Sequence, residues 1–143
     1  MLHSQPDFVV LDWNGTVVPF FGLPMYPGVA DRIQVWKQVG IKIFVVSHAH
    51  QSEIAKDVAR TKLPVDEVHG CNNKGPVVVD LCRRFGRGVL LGDHSMDFRA
   101  AQEADVPFYQ AVFENQARLS DGVQEFRSWE ELATLLPFGG KVS

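Results

Sequence analysis

Cysteine is scarce in this chain. Only Cys71 and Cys82 carry thiols among 143 residues, and their spacing is neither CxxC nor any metal-ligand pattern, which argues against a disulfide scaffold and a thiolate metal site. Long apolar runs are missing too, since none approaches the ~18 residues of a membrane-spanning helix. The opening Met-Leu-His-Ser-Gln-Pro-Asp lacks the basic stretch and apolar core of a secretory leader, so a reducing cytoplasm and no membrane partner are expected. Neither sign of charge dominates. A formal net charge of -3 leaves no overall basic surface and argues against a nucleic-acid partner. No repeat, linker or low-complexity tract interrupts the chain, and 45% hydrophobic with 22% charged residues is a composition that folds. At this length a single domain covering residues 1–143 is expected.

What is present is a regular alternation. Phe8-Val9-Val10-Leu11, Ile43-Phe44-Val45-Val46 and Val89-Leu90-Leu91 are short, continuous apolar runs that suit strands buried on both faces of a parallel sheet. Glu67-Val68-His69 and Pro107-Phe108-Tyr109-Gln110-Ala111-Val112 are weaker candidates. Between them, Val29, Ile33, Trp36 and Val39 recur at helical spacing before Gly40. Val78, Leu81, Cys82 and Phe85 do the same before Gly86, and Ile54, Val58 and Ala59 mark a weaker helix. Ser128 and Glu131 have capping-box spacing ahead of Leu132, Leu135 and Leu136. The pattern predicts an α/β chain: a three-layer Rossmann-like fold with a mostly parallel sheet of about five strands and right-handed crossovers. In such sheets ligands bind at the carboxyl ends of the strands. Asp12 follows the first strand, Ser47 the second and Asp93 the fourth, while Lys74 comes a few residues after the third. Singly, each is as well explained by a turn or a helix cap; four in this order point to one shared edge.

Asp12-Trp13-Asn14-Gly15-Thr16-Val17, Ser47 at the end of its apolar run, Lys74-Gly75-Pro76 and Gly92-Asp93-His94-Ser95-Met96-Asp97 resemble the four ordered motifs of the haloacid dehalogenase-like (HAD) hydrolases. The likeness extends from about Phe8 to Leu136. It implies magnesium-dependent phosphoryl transfer through an aspartyl-phosphate on Asp12. The physical chemistry agrees, because a phosphate monoester repels an anionic nucleophile unless cations screen both groups. Asp12 and Asp93 offer the hard oxygens magnesium prefers, and by resemblance the backbone carbonyl of Asn14 adds another. Asp97, four residues beyond Asp93, can face the same site as a ligand or as an acceptor behind one, or can simply be an acid favoured by the helix dipole. Lys74 would neutralise phosphate charge, and Ser47 with neighbouring N–H groups would bind phosphate oxygens. His48 is a candidate phosphate-binding contact, with contact to a helix dipole also open. Thr16 resembles the motif's threonine, with a purely structural role equally open.

Asn14 departs from the family pattern. Phosphatases of this kind usually carry a second Asp two residues beyond the nucleophile, to protonate the leaving oxygen; an amide cannot. His94 is a conceivable substitute. The alternative is a catalytically weak or inactive phosphate-binding module, and a carbon-centred hydrolase is disfavoured by Asp93 and Asp97. The 35 positions from Asp12 to Ser47 and the 27 from Ser47 to Lys74 leave no room for a cap domain. The proline-rich, apolar segment from Val18 to Pro27 resembles a flap over the site. Its stretch 20–26, including Phe20 and Tyr26, is a candidate homo-oligomer contact. The expected partner is a phosphorylated substrate.

Overall fold

The computed structural model describes residues 4–140; the first three and last three positions of the predicted 1–143 domain lie outside the described residues. Six strands form one all-parallel sheet in the order β3-β2-β1-β4-β5-β6. They are β1 (Phe8–Leu11), β2 (Lys42–Ser47), β3 (Glu67–Gly70), β4 (Gly88–Gly92), β5 (Phe108–Ala111) and β6 (Gln124–Phe126). The helices are α1 (Val29–Gln38), α2 (Gln51–Thr61), α3 (Lys74–Phe85), α4 (Ser95–Ala104) and α5 (Trp129–Leu135).

The central strands are buried on both sides, which is why they read as continuous apolar runs. In β1, Val9 and Leu11 join Ile33 and Trp36 of α1, Ile54 and Val58 of α2, and Leu132 of α5 in one core. Phe8 and Val10 turn to the other face and pack with Val78 and Leu81 of α3 and with Ala100 and Ala101 of α4. The result is three layers, with the sheet in the middle. No inserted domain interrupts the connections from β1 to α1 or from β2 to β3.

The sheet has six strands where about five were expected. β6 is only Gln-Glu-Phe, too short and too polar to show as an apolar run, and pairing with β5 makes it a strand. Helix starts are set locally. Asn73 caps α3 by accepting from Gly75 N, and Ser128 caps α5 by accepting from Glu131 N at 3.0 Å. His94 caps α4 through Nδ1, which accepts from Met96 N at 3.1 Å, while Asp97 reaches back to His94 N at 3.2 Å.

Candidate functional site

β1, β2 and β4 lie side by side and in register, so Asp12, Ser47 and Asp93 leave the sheet together at its carboxyl edge. The start of α3 brings Lys74 to the same place. An open cavity of about 310 Å³ collects every sequence-predicted site residue except Thr16: Asp12, Asn14, Ser47, His48, Lys74, Asp93 and Asp97 all line it. Thr16 is fully buried, directly behind the nucleophile position, and its Oγ1 donates to Asp12 Oδ2 over a long 3.4 Å. Phe21 of the flap segment, Ala49, Glu53 of α2 and His94 complete the wall.

Lys74 organises the centre. Its Nζ donates to Asp12 Oδ1 at 2.8 Å and to Asp97 Oδ1 at 2.5 Å, with the side chain only 4% exposed. Burial alone would lower its pKa, but the two carboxylates outweigh that and hold it well above the ordinary ammonium range. Carboxylate oxygens of Asp12, Asp93 and Asp97 lie within 4.8 Å of one another. Burial first, and then the charge of Asp12, push the carboxyl groups of Asp93 and Asp97 well above their usual range. Three acids thus crowd a site whose one ammonium pairs with two of them, and a further cation would relieve their repulsion. That unbalanced negative charge, carried by hard oxygen donors, fits a hard divalent cation. Both oxygens of Asp97 are already engaged, by Lys74 and by His94 N, so it braces Lys74 and the start of α4. Asp12, whose Oδ2 is held only by the long contact from Thr16, and Asp93, whose Oδ2 takes only the 3.3 Å contact from Gln116, are the more available donors.

Glycine is required twice at this edge. Gly15 has φ +83°, and a Cβ there would fall 2.1 Å from Asp93 Oδ2. At Gly92 a Cβ would strike the Asp97 carboxylate at 2.5 Å. Ser47 Oγ accepts from Ala49 N at 3.1 Å, which leaves its hydroxyl hydrogen for another acceptor. His48 must donate from Nδ1, because its partner at 3.2 Å is the carbonyl of Cys71. Asn14 is half-buried, and its Oδ1 is buried without a hydrogen-bond partner. His50 caps no backbone group with its side chain and does not line the cavity.

Sequence reasoning missed three supports. Trp129, at the start of α5, donates from Nε1 to the carbonyl of Thr16 at 2.9 Å across 113 positions. Gln116, in the connection from β5 to β6, donates from Nε2 to Asp93 Oδ2 at 3.3 Å. Tyr26 at the flap's end donates to Glu114 at 3.2 Å, and burial, then Glu114, push its phenol up to about 12. The Ser128 cap located α5, but nothing local tells that its first residue reaches the nucleophile loop.

No protein-family model and no curated protein matches the sequence. Solved structures do. The chain is similar to a HAD-superfamily hydrolase from Ehrlichia chaffeensis (TM-score 0.78, 11% identity, 95% of this chain and 98% of that one). A HAD-superfamily hydrolase of subfamily IA from Geobacter sulfurreducens PCA matches at TM-score 0.73 and 13% identity, over 92% of this chain and 96% of that one. The D,D-heptose 1.7-bisphosphate phosphatase from B. bronchiseptica, solved with magnesium and phosphate, matches at TM-score 0.70 and 18% identity, over 92% and 98%. With its parallel sheet, its acidic carboxyl edge and no inserted cap, the chain has the fold of the HAD-superfamily hydrolases.

Proposed function

We propose that this protein is a magnesium-dependent phosphohydrolase that works through an aspartyl-phosphate on Asp12. The observation that carries the reading is the packing of Asp12, Asp93 and Asp97, oxygens within 4.8 Å of one another, around the buried ammonium of Lys74 at the sheet's carboxyl edge. The B. bronchiseptica phosphatase of the same fold, solved with magnesium and phosphate, supports it.

Asp12 Oδ2 attacks phosphorus in line with the leaving oxygen; the phosphorus–oxygen bond to the leaving group breaks, and the phosphoryl group is carried on Asp12. Lys74 keeps Asp12 ionised before attack and donates to the phosphoryl oxygens as charge shifts. The Ser47 hydroxyl and the His48 edge are placed to bind further phosphate oxygens. Thr16 holds the loop from behind. Asp12, Asp93 and the Asn14 carbonyl would hold magnesium, with Asp97 bracing from the side; when bound, the ion supplies charge screening between phosphate and carboxylate. Water then attacks phosphorus, the bond from phosphorus to the Asp12 oxygen breaks, Asp12 returns as a carboxylate, and the departing phosphate keeps the protons of the water.

Asn14 can hydrogen-bond the leaving oxygen but cannot protonate it. His94 is no ready substitute, since its Nδ1 already caps α4. The substrate class that follows is a phosphate with a good leaving group, such as an acyl or aryl phosphate. The same amide favours a second reading, a phosphate-binding module with little turnover. The exposure of Phe20 and Leu23 in the flap, 60% and 45%, supports the expected contact between copies through residues 20–26. Among the described residues no helix is long and apolar enough to cross a membrane.

The test is a panel of phosphorylated small molecules offered to purified protein with and without magnesium. Hydrolysis that needs the ion and vanishes in Asp12→Ala is the expected result. Phosphate binding without turnover would select the module, and chelator-resistant hydrolysis would overturn the metal-dependent mechanism.

A further inference from the structure

Asp57 stands on α2, outside the cavity, yet it is only 8% exposed. An ionised carboxylate at that depth has to be fully engaged. Its Oδ2 accepts from Trp13 Nε1 at 2.8 Å and from Arg60 Nη2 at 3.1 Å; its Oδ1 accepts from Gly22 N at 3.0 Å and from Arg60 Nε at 2.8 Å. Arg60 Nη2 also donates to the carbonyl of Leu23 at 2.9 Å. A carboxylate serving α2 alone would need no more than Arg60, three residues along the helix. Here it also ties two segments that lie 44 and 35 positions away.

Both segments bear on the site. Trp13 directly follows Asp12, is fully buried, and is the corner of the nucleophile loop: its carbonyl accepts from Thr16 N at 3.1 Å and from Val17 N at 2.9 Å. Gly22 and Leu23 belong to the flap turn that Leu23 N closes on the Phe20 carbonyl at 3.1 Å, and Phe21 within that turn lines the cavity. The Asp57 carboxylate therefore joins the loop that carries the nucleophile to the flap that walls the substrate space.

We infer that Asp57 is a positioning residue: through the Trp13 indole it fixes the loop that carries Asp12, and through the Gly22 amide it fixes the flap that carries Phe21. The effect on turnover rests on the phosphohydrolase reading, whereas the clamp does not.

The experiment compares the parent with Asp57→Asn, which keeps one acceptor oxygen but turns an NH₂ group toward donors that then lose their partner. Hydrogen exchange is read at the amides of Gly22, Thr16 and Val17, alongside the melting temperature and magnesium-dependent hydrolysis of p-nitrophenyl phosphate. The clamp predicts exchange at least about tenfold faster at all three amides, and a fall in kcat of roughly 10- to 100-fold, since small misplacements of reacting groups are costly. Asp66→Asn is the control. It strips a carboxylate from Lys37 and from the Ile43 amide at the opposite end of the strands, and should lower the melting temperature while leaving kcat and those amides unchanged. Unchanged exchange at Thr16 and Val17 in folded Asp57→Asn overturns the inference, and faster exchange with unchanged kcat reduces Asp57 to a structural residue. If the parent hydrolyses no ester, the phosphohydrolase reading fails and the exchange result decides the clamp by itself. Should Asp57→Asn not fold, Trp13→Phe removes the indole donor along with part of the buried ring, and it is judged by the same two readouts against Trp36→Phe, a buried tryptophan whose Nε1 has no partner.

Discussion

Replacing Lys74 with methionine keeps most of the side chain's volume and removes its charge. The ammonium is 4% exposed and donates to Asp12 at 2.8 Å and to Asp97 at 2.5 Å. Breaking a buried ion pair from one side typically costs ~3 to 5 kcal/mol, because the remaining charge loses its partner. Here two carboxylates are left beside a third, so the upper part of that range applies before any proton uptake relieves them. Unfolding entropy of about 2.1 cal/mol/K per residue gives roughly 0.3 kcal/mol/K for a chain of 143 residues. The melting temperature of Lys74→Met should therefore fall by roughly 13 to 17 °C in chelator. Magnesium should return part of it, since the ion screens the same carboxylates. In the folded variant, hydrolysis at saturating substrate should drop by roughly 10² or more, the usual loss of an electrostatic donor. Calorimetry with and without magnesium, followed by steady-state kinetics below the lower transition, reads both effects. A shift of only about 2 °C with an unchanged rate would mean that the Lys74 charge holds neither the acids nor the transferred phosphoryl group.

Asn14→Asp should raise hydrolysis of an alkyl phosphate by roughly tenfold or more and of an aryl phosphate much less, toward the ~10² to 10⁴ that a placed general acid supplies; the buried, donorless position of Asn14 Oδ1 favours a protonated carboxyl there, and equal gains on both esters with magnesium affinity intact would contradict the assignment. Trp129→Phe leaves the buried Thr16 carbonyl without its donor and should cost ~1 to 3 kcal/mol, about 3 to 10 °C in melting temperature, with a smaller loss of rate than Lys74→Met. Asp57 has a pKa held below its ordinary value, by the Arg60 guanidinium foremost and then by the Trp13 indole and the Gly22 amide. Its contribution is therefore present above the unfolded carboxylate value of about 3.9 and lost as pH falls through the folded one. The gap in melting temperature between parent and Asp57→Asn should narrow as pH is lowered from about 6 to below about 3; a constant gap would show that the charge of Asp57 is not what stabilises.

The strands that carry the site were legible because they are buried on both faces and so read as apolar runs, each ending where Asp12, Ser47 and Asp93 leave the sheet. Glycine and the capping residues marked helix boundaries for the same local reasons. β6 was not legible: three residues whose strand character comes from pairing with β5 leave no pattern of their own. Nor was the depth of Lys74, because a lysine after a strand looks alike whether it faces water or two buried carboxylates. The supports behind the site were hidden for a related reason. Trp13 to Asp57, Trp129 to Thr16 and Gln116 to Asp93 are single contacts between distant segments, and each partner alone has an ordinary local explanation as core aromatic, helix acid or loop amide.

Transfer of the phosphoryl group to Asp12 is read by rapid quench of the protein with magnesium and an acyl phosphate, followed by mass spectrometry of its peptides. The expected result is the mass of one phosphoryl group on the peptide that contains Asp12, present only with magnesium and absent in Asp12→Asn. A phosphoryl group on another residue, or turnover at the parent rate in Asp12→Asn, would contradict it.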